Sequence, residues 1–127
     1  MTSDGEGFVR GKTYTRAVIA KAVGGGSLQS YLPTVDGRVV CGCFRTDLNP
    51  EAPDLILPGT GPVIQSSAAL LCEQGGKIPV FLADGNARWR FVGDYEVAAT
   101  STEAKDIRAH RGSRGDVTRV IWLRRVL

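Results

Sequence analysis

"KIPVFLADGNARWRFVGDYEVAA", residues 77–99, holds two runs of β-forming residues separated by a turn, and it fixes the fold class. Asp84-Gly85-Asn86 supplies residues that accept positive φ, so the chain reverses there and the flanking runs pair as a hairpin. The second run, 88–99, is long and broken only by Gly93, which suits a bulge or bend. Pro79 lacks an N–H, which predicts that its strand lies at a sheet edge.

Working outward, Thr15 reads as the N-cap of a helix through Val23, with Val18, Ile19, Ala22 and Val23 on one face and Gly24 ending it. "RVVCGCF" (38–44) reads as a strand, with Gly42 marking a bulge or close backbone approach. "TDLNPEAPD" (46–54) is a loop, and "LIL" (55–57) a short strand. Residues 59–76 give a second helix, with Pro62 in its first turn and Gly75 just past its end. Thr100 and Glu103 have capping-box spacing for a third helix reaching about His110, and "RGSRGD" leads to a last strand over 117–126. Most gaps between strands are too short for crossover helices. The expectation is therefore an α+β domain, one unit over 1–127, with a mixed, mostly antiparallel curved sheet or small barrel and about three short helices.

Composition narrows the function. A chain of 127 residues, 43% hydrophobic and 23% charged, suits one core. No apolar run approaches a membrane span, and "MTSDGEGFVRGK" lacks the apolar core of a leader, so a cytoplasmic protein is expected. Cys41, Cys43 and Cys72 are an odd count, which favours reduced thiols. Sixteen Lys and Arg face 13 Asp and Glu, a modest excess. Its distribution is uneven: residues 46–76 contain no Lys or Arg, whereas the segment from Lys105 onward carries six arginines against Asp106 and Asp116. That end reads either as a cationic face for phosphate or as a salt-bridged surface.

Catalytic and metal-binding sets are thin. His110 is the single histidine, which excludes a multi-histidine metal site and a histidine triad, and it reads as a surface or phosphate contact. Cys41-Gly42-Cys43 lacks the second pair of a structural zinc site and reads as two near-core thiols on opposite strand faces. "GTGP" opens a helix but lacks the Lys-Ser/Thr of a nucleotide loop. No cofactor is implied, and a non-enzyme is expected.

The segments "GKTYTRAVIAKAVGGGSLQSYLPTVDGRVVCGCF" (11–44), "DLNPEAPDLILPGTGP" (47–62), "IPVFL" (78–82) and "WRFVGDYEV" (89–97) together resemble a bacterial DNA-reading module. That module occurs as small stand-alone actinobacterial 5-methylcytosine-binding proteins and joined to HNH nucleases in modification-dependent (type IV) restriction. The pattern is also similar to sulfur-binding domains that read phosphorothioate DNA. The resemblance implies binding of double-stranded DNA with methylated cytosine, without cleavage, since one histidine cannot supply an HNH centre.

Under that resemblance the residues must achieve discrimination, and one buried methyl gains only about 0.8 kcal/mol. A pocket that encloses the base, or contacts to two methyl groups, would add the rest. Tyr31, Phe44 and Trp89 are the candidate rings, while Tyr95 and Trp122 read as core; Trp89 suits a core anchor equally well. In "GGGSLQSYLP" (24–33), glycines allow close approach to DNA, and Ser27, Gln29 and Ser30 offer short donors and acceptors. Arg45 and Asn49 are placed as a base or phosphate contact and a base-edge reader, and Arg111 and Arg114 as phosphate contacts. An ordinary helix-to-strand connection and a Pro-Asn turn are the competing readings of these two loops. A small-molecule or protein-interaction barrel is the alternative function.

Overall fold

The structure, a computed structural model, describes residues 7–127. Residues 1–6, part of the stretch expected to carry no apolar leader, lie outside the described residues. Along the chain come β1 (Thr13–Tyr14), α1 (Arg16–Val23), β2 (Thr34–Val35), β3 (Arg38–Val39), β4 (Gly42–Phe44) and β5 (Leu55–Ile56). There follow α2 (Pro62–Gln74), β6 (Ile78–Ala83), β7 (Trp89–Ser101), α3 (Ala104–His110) and β8 (Val120–Arg125).

The hairpin at 77–99 forms the middle of the molecule. β6 and β7 pair antiparallel from Ile78 opposite Tyr95 to Ala83 opposite Trp89, with a register shift beside Gly93, whose φ is 134°. The main sheet runs β4-β6-β7-β8-β5, with β1 added against β7. β4 and β6 run parallel and the other pairs antiparallel, the mixed sheet that short connections demand. β6 is central, which corrects the edge placement. Pro79 sits one residue before the register with β4 begins at Val80, so its missing N–H removes no bond from that ladder.

Alternation along the strands builds a core on each side of the sheet. Phe44, Ile56, Val80, Ile121 and Leu123 pack with Ala68 and Leu71 of α2. On the other face Cys43, Phe81 and Phe91 meet Ile19 of α1, while Leu55, Leu57 and Val120 meet Val117, with Ile107 of α3 against them. Cys41 and Cys43 lie in the same cluster and are free thiols. Residues two apart share a strand face, so the opposite-face expectation was wrong.

Local signals account for the helix ends. Thr15 Oγ1 accepts the Val18 N–H at 3.2 Å, and Gly24 ends α1 at φ 93°. Val18 is 50% exposed, however, and Ile19 is the residue α1 buries. α3 is capped differently from the expected Thr100–Glu103 box: Thr100 stays in β7 and donates to Val120 O. Ser101 Oγ instead accepts the Glu103 N–H and donates to Asp106 at 2.6 Å. The strand read over 38–44 divides into β3 and β4, and a Cβ at Gly42 would lie 2.5 Å from the Phe44 ring. No helix among the described residues is long and apolar enough to cross a membrane.

Candidate functional site

The sheet does not close. Its two end strands, β4 and β5, are not hydrogen-bonded to each other, yet both lead into one pocket of about 670 Å³, lined by Cys43 and Arg45 on one side and Leu57 and Pro58 on the other. The 27–31 loop, the first turn of α2, Trp89 and the segment before β8 complete it.

The 27–31 loop is tied down along the free edge of β4, where the Cys43 N–H donates to Tyr31 O at 2.8 Å. Arg16 of α1 holds the loop from the other side, its guanidinium donating to Ser27 O at 2.9 Å and Ser30 O at 2.7 Å. The same guanidinium lies 5.2 Å from the Trp89 ring centroid, a cation–π distance. Arg16 is thus a site residue that the sequence reading missed; its position in a helix's first turn carries no local mark of a contact 14 residues away. Ser27 Oγ accepts the Gln29 N–H and Ser30 Oγ the Leu32 N–H, so both hydroxyls shape the loop. Gln29 is exposed, and its amide bonds to no other described residue.

Tyr31 is half-buried, and its hydroxyl donates to Ile64 O in the first turn of α2 at 2.6 Å. Burial pushes its hydroxyl up to about 12, so the ring stays neutral and forms a fixed wall. Trp89 is half-buried against the Phe8, Phe81 and Phe91 cluster while its remaining surface lines the pocket. Trp89 is thus a core anchor on one side and a pocket wall on the other. Leu28, Leu48 and Val63 are 49%, 45% and 75% exposed and also line the pocket, an apolar rim of the kind that marks binding surfaces.

Of the other expected contacts, Arg45, Asn49 and Arg114 line the pocket with their polar groups bonded within the protein, and Phe44 and Arg111 lie outside its lining. Phe44 is fully buried in the α2-side core and offers no ring to a ligand, because it alternates with Cys43 across β4. Asn49 is spent on the scaffold: its Nδ2 donates to Arg45 O at 3.0 Å and its Oδ1 accepts the Leu57 N–H at 2.8 Å. That amide ties the β4–β5 loop to the end of β5, the Pro-Asn turn that was its competing reading, while the residue still lines the pocket. Arg114 Nη1 donates to Leu48 O and Leu57 O at 2.8 and 2.9 Å, and its other nitrogens fork onto Asp116 at 3.0 and 3.1 Å. It fastens two loops together. Arg111 Nη1 donates to Arg114 O within its own loop, outside the pocket lining. His110 pairs with Glu51 at 2.8 Å and meets Trp122 edge-on. Arg45 is exposed at the mouth and held by Asp47 at 2.7 Å.

Two further residues gain significance from the geometry. Asp116 lines the pocket, and the Arg114 fork holds its carboxyl below the usual carboxylate range, keeping it ionised. A Cβ on Gly59 would lie 2.6 Å from Asp116 Oδ2, so only glycine lets that wall approach so closely. Deeper in, the Cys41 thiol donates to Cys43, raising the first thiol and lowering the second. Among the described residues no group of His, Cys, Asp and Glu is arranged to hold a metal ion.

A family model described as a domain of unknown function (DUF6697) matches residues 13–126. The chain belongs to that family. No curated protein matches it. Among solved structures it is similar to the SUVH5 SRA domain in complex with hemi-methylated CG DNA, with a TM-score of 0.66 and 16% identity, covering 96% of this chain and 91% of that one. This DUF6697 domain therefore shares its fold with an SRA domain over nearly its whole length.

Proposed function

We propose that the chain is a non-catalytic reader of double-stranded DNA, and that it encloses 5-methylcytosine in the pocket between β4 and β5. The observation that carries this reading is the composition of that pocket. At about 670 Å³ it falls in the range of about 300–1,000 Å³ typical of small-ligand sites, ample for one base with its sugar. Two aromatic walls, Tyr31 and Trp89, suit the faces of a base. The apolar rim of Leu28 and Val63 suits a methyl group, and the ionised Asp116 suits the exocyclic amine of cytosine, a donor that thymine lacks. Gln29 and Arg45 at the mouth are suited to base-edge and phosphate contacts. The likeness to an SRA domain solved on hemi-methylated CG DNA supports the same reading at the level of fold. Sensing or restricting methylated foreign DNA, as type IV systems do, is the role the resemblance to stand-alone methylcytosine binders suggests.

A mobility-shift titration with methylated, hemi-methylated and plain duplexes of one sequence tests it. Methylated duplexes should bind at least tenfold more tightly than plain ones, beyond the roughly fourfold that one methyl supplies by burial alone. Equal affinities would overturn the reading.

A further inference from the structure

A second groove, of about 430 Å³, lies beyond Trp89 and Arg45, and both residues line it as well as the main pocket. Anything leaving the main pocket over that shared wall enters this groove. Its far side is the β6–β7 turn, Gly85 to Arg88. Arg88 is exposed there, but it is not loose: Nε donates to Thr13 Oγ1 at 3.2 Å and Nη2 to Thr13 O at 2.9 Å. Those bonds leave Nη1 without a partner among the described residues, directed by an anchored guanidinium. Of the acids nearby, Asp47 is occupied by Arg45 and Asp84 by Arg90 at 3.1 Å, so the groove presents net positive charge.

The turn is also strained. Gly85, Asn86 and Ala87 have φ of 66°, 48° and 59°, and alanine gains nothing locally from the left-handed region. Hydrogen bonds from Asp84 N–H to Arg88 O at 2.9 Å and from Arg88 N–H to Gly85 O at 2.8 Å hold it there. Strain of this kind gathers where a backbone must present a surface to a ligand.

We infer that this groove is a subsite for the sugar-phosphate of the nucleotide next to the enclosed base on the same strand, with Arg88 as its phosphate contact. The inference rests on the methylcytosine reading above. A cycle tests it, combining Arg88→Gln with duplexes in which single phosphates beside the 5-methylcytosine are replaced by neutral methylphosphonates. The parent should lose about tenfold in affinity at one such position, and Arg88→Gln should lose the same on the natural duplex but nothing further on the substituted one. Its log-affinity slope against log salt should flatten by about 0.9, with the methylated-to-plain ratio kept. Unchanged affinity in Arg88→Gln, or losses that simply add, would overturn the subsite. A parent with no methylation preference would contradict the base reading instead. Should Arg88→Gln unfold, Arg88→Lys keeps the charge without the fork, and the same cycle should then show partial coupling.

Discussion

Tyr31 illustrates how one side chain ties the fold to the site, because its ring lines the pocket while its hydroxyl anchors the loop to α2 through Ile64 O. Tyr31→Phe should keep the ring and most DNA affinity, whereas Tyr31→Ala should lower methylated-DNA affinity by about 1–3 kcal/mol, the value of one stacked base. Titration fluorimetry on both variants, alongside thermal unfolding, separates a lost wall from a lost fold. The raised hydroxyl also predicts alkaline behaviour. The unfolded tyrosine ionises near its ordinary value of 10 while the folded one resists to about 12, so the stabilisation it gives is complete below pH 10 and lost across pH 10–12. Following tyrosinate absorbance, Tyr31→Phe should remove a late-titrating component and blunt that loss. Gly59 gives a sharper residue-scale test. Gly59→Ala should displace Asp116, so that it weakens methylated-DNA binding severalfold in an affinity titration while plain-DNA binding changes little. Residue roles were the least legible part of the sequence. Asn49 and Arg114 have the chemistry of DNA contacts, and only the structure shows that they also bond the scaffold, through Leu57 N–H and the Leu48 and Leu57 carbonyls.

Elements were read more securely, because their signals are local. Thr15 and Gly24 bound α1, Pro62 and Gly75 bound α2, and the Asp84-Gly85-Asn86 turn makes the hairpin. Pro79 misled because its rule concerns one missing bond, and the shortness of β4, three residues from Gly42 to Phe44, is invisible to it. The loops that build the pocket depend on ties from distant elements. Arg16 fixes the 27–30 carbonyls, so Arg16→Met should leave β6 and β7 protected in hydrogen exchange while amides around Ser27–Tyr31 exchange faster. Unaltered exchange in the loop would show that Arg16 does not hold it. Arg114 joins the β4–β5 loop to the segment before β8, and its side chain is 18% exposed. Arg114→Ala should therefore cost about 1–3 kcal/mol, since two carbonyls and a carboxylate lose a charged donor. Calorimetry should show a fall of roughly 4 °C in Tm per kcal/mol.

At the scale of the whole molecule, an open sheet curls until its unpaired ends share a pocket, and the loops that cover those ends become its walls. The α+β class with mixed strands followed from connection lengths. The pocket did not follow, because it arises where β4 and β5, 10 residues of loop apart, fail to pair. Of the seven basic side chains from Lys105 onward only Arg114 lines the pocket, so the excess of arginine there did not point to it. The central claim is that this pocket holds the modified base, and a crystal structure with a duplex carrying one 5-methylcytosine tests it most directly. The account predicts the methylated base out of the helix, between Tyr31 and Trp89, with its amine toward Asp116. A base still stacked in the duplex, or DNA bound on another face with the pocket empty, would contradict it.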